Sequence, residues 1–297
     1  CHAEDLTGGP HRALGPPALA VRSPRGQGSA QAGKEGRVDR PAIQYVVDEA
    51  RAAGIEHFVF VTGRNKGAIE DYFDTAFELE ATLEAKKKTA ILEEVACTKP
   101  VPGSMSFVRQ QAPLGLGHAI WCAREIIGDE PFAILLPDVL VQARPSCLAQ
   151  MVETYMETGG NIIAVEAVPE SEVDKYGVID PASRDGNRLR MNGMVEKPPV
   201  GKAPSNLAIT GRYILQGKIF EYLADQAAGA GGEIQLTDAM ARLMQTQDFH
   251  AVEYDGVSYD CGSKLGYLRA SLAYALKDGA LGDEARAVAQ AVLDAAG

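Results

Sequence analysis

Two aspartates lie at distant points of the sequence in contexts that suit a metal ion. Asp138 follows the apolar run of residues 132–136 after Pro137, and Asp260 lies in a Tyr-Asp-Cys-Gly sequence at 259–262. Ligands of open α/β sheets bind beyond the carboxyl ends of the strands, where Asp138 is expected. Mg²⁺ is commonly held by one or two carboxylates together with phosphate oxygens. The two aspartates therefore form a candidate magnesium site around a triphosphate, with a helix cap or a surface turn as the structural alternative for each.

A glycine-containing segment, residues 110–119, joins a predicted strand to a predicted helix. It begins with Gln110 and contains Gly115, Gly117 and His118. Its glycines allow a ligand to approach the backbone closely, and the N–H groups at the start of the following helix favour phosphate or carbonyl oxygens. The alternative interpretation is a tight turn, with His118 as a packing or capping residue.

A carboxylate and an ammonium group stand side by side where another predicted strand ends, in Glu196, Lys197 and Pro198. Their side chains should point to opposite faces unless the strand bends there, and Pro198 should stop the strand pairing. Glu196 is suited to accept hydrogen bonds from sugar hydroxyls and Lys197 to neutralise a phosphate, with an exposed ion pair as the alternative. Further along, Thr237 or Asp238 is the expected cap of a helix.

The elements that must position these residues alternate in type from residue 39 onward. Strands are predicted at 57–62, 105–109, 132–136, 161–165, 175–179, 188–197 and 207–215. Helices are predicted at 41–53, 68–86, 117–127, 236–247, 265–277 and 285–296. Right-handed crossovers place helices on both sides of such strands, so the predicted fold is α/β, a Rossmann-like mixed sheet with helices on both faces.

The sequence divides into three segments. Residues 1–37 are atypical, rich in Gly, Pro and Arg, and show no pattern of a strand or a helix. Residues 38–280 form the predicted catalytic domain. Residues 281–297 form a predicted C-terminal helix that packs either on the core or on a second subunit. Its apolar face consists of Val288, Ala291, Val292 and Ala295.

Composition excludes several classes of protein. The 297 residues contain 29 Lys and Arg against 40 Asp and Glu, a formal net charge of −11 that argues against a nucleic-acid partner. No run of 18 apolar residues predicts a membrane span, and no secretory signal is recognisable. The scattered cysteines show no disulfide or metal-binding pattern and predict reduced thiols in a cytoplasmic protein. They are Cys1, Cys97, Cys122, Cys147 and Cys261.

Taken together, the motifs resemble the sugar nucleotidyltransferase family over about residues 38–280. LTDA, together with YDCG followed by a lysine, favours the branch of bacterial UTP–glucose-1-phosphate uridylyltransferases. The segments that carry the resemblance are VDRPAIQYVVDEA (38–50), FVTGRNKGAIEDYFD (60–74), VRQQAPLGLGHAIWCAR (108–124), LLPDV (135–139), YGVI (176–179), VEKP (195–198), GRYIL (211–215), GGEIQLTDA (231–239) and YDCGSKLGYLRA (259–270).

The resemblance implies a reaction and a cofactor. Glucose 1-phosphate attacks the α-phosphorus of UTP in line, which gives UDP-glucose and pyrophosphate. It implies that Gln110 and the backbone at Gly115 read the uracil, and that Asp138 and Asp260 hold Mg²⁺. The protein then supplies position and charge neutralisation rather than a covalent nucleophile.

The resemblance also implies the sugar site and the assembly. Gly177, Glu196 and Gly211 surround the glucose, and Lys197 contacts the phosphate, so Lys197 and Asp138 are the expected catalytic residues. The protein is expected to form a homo-oligomer, a dimer or a tetramer.

One departure from the family pattern lies at the start of the chain. The family opens with a strand and a loop of the form GxGTRxxPxTKxxPKEMLP directly before VDRP, and residues 1–37 contain no such text. The loop's amides and arginine grip the triphosphate in the family. The abrupt change at Val38 is what a shifted reading frame or a wrong gene start produces. If the segment is genuine, we expect the sheet to lack its first central strand.

Other functions stay open from sequence. One is a thymidylyltransferase or another sugar-1-phosphate nucleotidyltransferase, and another is a catalytically impaired homologue that binds sugar nucleotides without turnover. A Rossmann dehydrogenase is least favoured, because no GxGxxG follows a first strand.

Overall fold

The computed structural model describes residues 18–22, 40–225, 229 and 232–296, with main chain only for 18–22. Its strands are β1 Ala18–Arg22, β2 His57–Thr62, β3 Met105–Arg109, β4 Phe132–Leu135, β5 Val139–Gln142, β6 Asn161–Ala167, β7 Gly177–Asp185, β8 Arg188–Glu196, β9 Leu207–Leu215, β10 Phe249–Glu253 and β11 Val257–Asp260. Its helices are α1 Ala42–Ala52, α2 Gly67–Tyr72, α3 Phe77–Ala85, α4 Thr89–Thr98, α5 Leu116–Trp121, α6 Arg124–Ile127, α7 Cys147–Thr158, α8 Ile219–Ala224, α9 Leu236–Leu243, α10 Lys264–Lys277 and α11 Gly282–Ala296. A 3₁₀ helix spans Glu170–Lys175.

The strands of the described residues form a nine-stranded sheet in the order β3-β2-β1-β4-β9-β6-β10-β8-β7 and a small sheet of β11 and β5. β2 and β4 both pair antiparallel with β1, whereas β2 pairs parallel with β3 and β10 parallel with β6. β9 runs antiparallel to both β4 and β6. The carboxyl ends of β2, β3, β4 and β6 therefore share one edge of a mixed sheet, as the sequence predicted.

Helices cover both faces of the large sheet because its central strands are apolar on both sides. In β4, Phe132 and Ile134 join a core with helices α5, α8 and α9, and Ala133 and Leu135 join a second core with α1 and α7. The stacked rings of Phe132 and Phe220, 5.1 Å apart, tie α8 to the first face. The predicted fold class is confirmed.

The prediction that residues 1–37 contain no strand was wrong. Residues Ala18–Arg22 form β1 in the centre of the sheet, antiparallel to both neighbours. Five residues that include only two large aliphatic side chains give too short a pattern to recognise, and the pairing of both strand edges supplies the backbone hydrogen bonds instead.

Other predicted boundaries also needed correction. The helix predicted at 68–86 is two helices, α2 and α3, and a further helix, α4, follows them. The interruption falls at Asp74, whose side chain accepts a hydrogen bond from the N–H of Thr75 at 2.7 Å and so competes with the helix. The C-terminal part was predicted as helical only, yet it contains β10 and β11, which are held by β6, β8 and β5.

The predicted C-terminal helix is present as α11, but the core-packing alternative was wrong. Its apolar side chains Val288, Val292 and Leu293 are each more than 60% exposed. The oligomer contact stays a prediction. No helix in the described part of the chain has both the length and the apolar composition needed to cross a membrane.

We predict that Ser263→Ala lowers the free energy of unfolding by about 1 kcal/mol, because Ser263 caps α10 and its hydroxyl accepts from the N–H of Gly266 at 3.0 Å. Urea unfolding measures the change. Ser271→Ala, in the same helix, removes a hydroxyl that bonds only to the Tyr267 carbonyl and should leave stability within about 0.5 kcal/mol. Equal losses in the two variants would contradict the capping role.

Candidate active site

The two predicted metal-binding aspartates meet in the structure. Asp138 follows β4, Asp260 ends β11, and the N–H of Cys261 donates to the Asp138 carbonyl at 2.7 Å. A methyl group placed on Gly262 would lie 3.0 Å from Oδ1 of Asp260 and 3.9 Å from Oδ2 of Asp138. Both carboxylates therefore border the same small space above Gly262.

The environment of Asp138 fits a cation better than a structural role. Its Oδ1 is buried and has no hydrogen-bond partner among the residues that the structure describes, and Asp138 caps no helix, since β5 follows it. Burial raises the pKa of the Asp138 carboxyl; its own backbone N–H opposes that rise and the Asp260 charge adds to it. Asp260 does have a structural bond, because its Oδ1 accepts from the N–H of Gly262 at 2.9 Å. An orphaned carboxylate oxygen beside a second carboxylate suits a divalent metal.

The described residues contain no group of three or more His, Cys, Asp and Glu placed to hold a metal ion. A divalent cation at Asp138 and Asp260 would leave coordination positions for substrate oxygens or water. That is the usual arrangement for Mg²⁺ in phosphate chemistry.

Gln110 and Gly115 come together at the end of β3. The Gln110 Nε2 lies 3.0 Å from the Gly115 carbonyl oxygen and 3.1 Å from His118 Nδ1. Burial lowers the pKa of His118, which favours the neutral ring whose Nδ1 can accept. Both contacts use the amide nitrogen, so within the described part of the chain neither of them occupies the Gln110 carbonyl oxygen. His118 is thus a packing residue that orients Gln110.

Gly115 is required by its surroundings. Its φ of 100° lies in the region that favours glycine, and an added Cβ would lie 2.8 Å from Cβ of Glu233. The neighbouring Leu114 carbonyl accepts from the N–H of Ile234 at 2.7 Å, and the N–H of Gly117 donates to the Ile234 carbonyl at 2.8 Å. The Gln110 segment is thereby joined to the chain that enters α9.

The same entering chain also fixes the predicted sugar carboxylate. Thr237 is not the cap of α9, which begins at Leu236 and has no side-chain cap bond. Instead its hydroxyl donates to Glu196 Oε2 at 2.7 Å. A Cβ on Gly177 would lie 3.1 Å from that oxygen. The sequence analysis missed this role of Thr237, because no pattern in the amino-acid sequence pairs residue 237 with residue 196.

The chain bends at Lys197, where β8 has just ended. The sequence analysis made such a bend the condition for the side chains of Glu196 and Lys197 to point to the same side. The Lys197 φ of 46° is left-handed, unusual for a lysine, and its N–H donates to the Tyr176 carbonyl at 3.0 Å. The Lys197 ammonium lies 4.0 Å from Glu196 Oε1 and is 62% exposed. The exposed ion pair is therefore loose, and the ammonium is accessible to an anion.

Two tyrosines respond to the charges of the predicted site residues. Burial raises the pKa of Tyr213 far above its ordinary value, and the charges of Glu196 and Asp138 raise it further. Burial also raises the pKa of Tyr176, with Asp260 among the charges that add to the rise. Charges of the predicted sugar and metal groups thus act on the same tyrosine, Tyr213. The Gln110 segment is joined to the chain that carries Thr237 through Ile234.

Comparisons with known proteins agree with this arrangement. The family model described as nucleotidyl transferase matches residues 36–277. A UTP–glucose-1-phosphate uridylyltransferase of Bacillus subtilis (strain 168) is 50% identical over 247 residues, which are 83% of this chain and 84% of the relative. The chain belongs to the nucleotidyl transferase family.

Solved structures place it more narrowly within that family. A UTP-bound UGPase from Acinetobacter baumannii has a TM-score of 0.79 and 47% identity, covering 85% of this chain and 88% of that one. A UDP-glucose pyrophosphorylase complexed with UDP-glucose has a TM-score of 0.70 and 42% identity, covering 81% and 89%. The resemblance to bacterial UTP–glucose-1-phosphate uridylyltransferases is confirmed, and the site residues stay predictions.

We predict that Lys197→Val lowers the free energy of unfolding by about 1–2 kcal/mol more than Lys197→Asn, because asparagine tolerates a left-handed backbone and valine does not. Urea unfolding of both variants measures the difference. The same pair of substitutions at exposed Lys202, whose φ is not positive, should show no such penalty for valine. Equal stability of the two Lys197 variants would show that the bend relaxes.

Proposed function

We propose that this protein transfers a uridylyl group from UTP to glucose 1-phosphate, which gives UDP-glucose and pyrophosphate. The observation that carries the proposal is the pair of carboxylates of Asp138 and Asp260 around Gly262, in a chain that is half identical to a uridylyltransferase. Glu196 and Lys197 follow each other at the end of β8 with their charged groups 4.0 Å apart, so groups for a sugar and a phosphate adjoin one another.

For the nucleotide, we propose that Gln110 and the Gly115 backbone bind the uracil. The Gln110 amide is held by Gly115 and His118, so its carbonyl oxygen has a fixed direction before a base arrives. A group oriented in advance loses little side-chain entropy on binding. Thymine differs from uracil by a methyl group. A hydrogen bond to the Gln110 carbonyl oxygen alone discriminates only weakly against that methyl group.

For the cofactor, we propose Mg²⁺ at Asp138 and Asp260. When bound, the ion would neutralise charge on the triphosphate oxygens. The two aspartates supply the protein ligands, and the buried oxygen of Asp138 gains the partner that it lacks within the described chain.

For the sugar phosphate, we propose Gly177, Glu196 and Gly211 around the glucose and Lys197 on the phosphate. Thr237 occupies one oxygen of Glu196, which leaves the other to accept from a sugar hydroxyl. Gly177 keeps the space beside that carboxylate open. Lys197 neutralises the attacking phosphate, which then displaces pyrophosphate in line without a covalent enzyme intermediate.

We propose the cytoplasm as the compartment and a homo-oligomer as the assembly. Cys122, Cys147 and Cys261, whose side chains the structure describes, are free thiols, in agreement with a reducing compartment. The exposed apolar side chains of α11 are consistent with a contact between subunits.

The test is pyrophosphate release by the full chain with glucose 1-phosphate, Mg²⁺ and either UTP or dTTP. We expect release with UTP, faster than with dTTP, and none after EDTA treatment. Faster release with dTTP would instead support a thymidylyltransferase.

A second candidate function is a sugar-nucleotide-binding homologue without turnover, favoured by the absence of the family's GxGTR text from residues 1–37. Calorimetric binding of UDP-glucose by a folded sample that releases no pyrophosphate would establish it. A sample that neither binds UDP-glucose nor releases pyrophosphate would refute both functions.

We predict that Asp138→Asn reduces kcat/KM for UTP by about 100-fold, roughly 2.7 kcal/mol, because it removes a metal-binding charge. The same change should raise the melting temperature, since it removes a charge that burial and Asp260 disfavour. Steady-state kinetics and calorimetry measure the two effects. Asp283→Asn, in exposed α11, is the matched control and should change neither. Full activity of Asp138→Asn would contradict the metal assignment.

A further inference from the structure

A buried ion pair lies behind the metal-binding turn. Arg212, in β9, has no exposed surface, and its guanidinium contacts the carboxylate of Glu49, in α1, with the shortest distance 2.9 Å from Nη2 to Oε2. Neither residue has a role in the proposed binding of UTP, glucose or metal. A buried charge pair is costly to desolvate and frequently adds little net stability, so its presence calls for a further explanation.

All five N–H donors of Arg212 find acceptors. Nε donates to Glu49 at 3.2 Å, and Nη2 donates to Glu49 at 2.9 Å and to the Val139 carbonyl at 2.7 Å. Nη1 donates to the carbonyls of Leu136 at 3.0 Å and Gly211 at 3.3 Å. The guanidinium thus faces a carboxylate on one side and three backbone carbonyls on the other.

Two of these carbonyls bracket Asp138. Leu136 lies two residues before it and Val139 one residue after it, so the guanidinium grips the turn on both sides of the metal-binding residue. The turn is also closed by a long bond of 3.3 Å from the N–H of Val139 to the Leu136 carbonyl, and the Asp138 carbonyl accepts from the N–H of Cys261 at 2.7 Å. The Asp138 side chain has an unpartnered Oδ1, so the orientation of its carboxylate depends strongly on this backbone.

Glu49 in turn fixes the guanidinium to the helices of that face. Its Oε1 accepts from the N–H of Leu148 at 3.3 Å, and its backbone carbonyl accepts from the Ser146 hydroxyl at 3.4 Å. The carboxylate therefore joins α1 and the start of α7 to Arg212. A lysine could neither span the two carbonyls nor keep a two-point contact with Glu49, because its ammonium is a single point charge.

We propose that Arg212, oriented by Glu49, is a positioning residue that holds the Leu136–Val139 turn so that the Asp138 carboxylate points at the divalent cation. The inference rests on the proposed function in one respect, that Asp138 binds the cation. It adds two residues that touch neither substrate nor metal and act through the backbone of the turn.

The test measures metal binding directly. Mn²⁺ replaces Mg²⁺, and the free Mn²⁺ signal in electron paramagnetic resonance gives its affinity for the enzyme with UDP-glucose bound. Three changes are compared: Arg212→Lys, Glu49→Gln, and the double variant Glu49→Leu with Arg212→Met. The double variant replaces the pair by apolar side chains of similar size, which often preserves or increases stability, so it separates positioning from folding.

We expect Arg212→Lys and the double variant to weaken Mn²⁺ binding about 10-fold, and Glu49→Gln to weaken it less, in line with the loss seen when groups behind a metal ligand are altered. The affinity for UMP in EDTA should stay within about 2-fold of wild type, because the proposed uracil contacts, Gln110 and Gly115, lie on other elements and UMP carries no glucose. Met151→Ala is the control for lost stability, since Met151 is fully buried in α7 on the same face. It should lower the melting temperature and leave Mn²⁺ affinity unchanged.

Wild-type Mn²⁺ affinity in the folded variants would overturn the inference, as would an equal loss in Met151→Ala. Should Arg212→Lys fail to fold, the double variant and Glu49→Gln decide the question. The proposed function has its own readout: an unaltered chain that binds Mn²⁺ but releases no pyrophosphate would refute the reaction and leave the positioning role standing. Failure of the unaltered chain to bind Mn²⁺ would refute the metal assignment and the inference with it.

Discussion

The close approach of β9 to the end of β4 is the constraint on which the whole site depends. Gly211 has a φ of 71°, which favours glycine, and a Cβ there would lie 3.0 Å from Cδ1 of Leu136, so a larger residue would be strained where the two strands meet. The Gly211 carbonyl accepts from the N–H of Leu136 at 3.0 Å. This contact brings Arg212 beneath the turn that carries Asp138, where its Nη1 donates to the Leu136 carbonyl at 3.0 Å.

Much of the fold follows from local pattern. Continuous apolar runs such as β4 can be recognised from sequence because burial on both faces leaves no polar positions in them, whereas β9 is equally buried but also contains Thr210 and Arg212. The candidate site residues were found from motifs, and their proximity is what the fold adds. β10 and β11 escaped prediction because each is short and is stabilised by strands distant in sequence rather than by its own pattern.

Residues that support the site were harder to find than those that form it. Thr237 has the type and position of a helix cap, yet its hydroxyl bonds to Glu196, 41 positions away in the chain. Arg212 and Glu49 are separated by 163 positions, and no charge pattern links them. A side chain whose partner is set by tertiary packing carries no local signal, so only the folded chain identifies it.

In the centre of the sheet, β1 pairs with both of its neighbours although residues 1–37 lack the phosphate-binding sequence of the family. β1 pairs with β2 and β4 in the position between them, so the backbone hydrogen bonds of the sheet are made without the family's opening sequence. Its direction matters for chemistry: Arg22, its last residue, pairs with His57 and Phe132, the first residues of β2 and β4. The carboxyl end of β1 therefore lies at the edge of the sheet opposite Asp138, and its first residue lies at the Asp138 edge. The central position of the sheet is thus filled by a strand that runs against both of its neighbours, so its backbone pairing stabilises the sheet whatever sequence surrounds it.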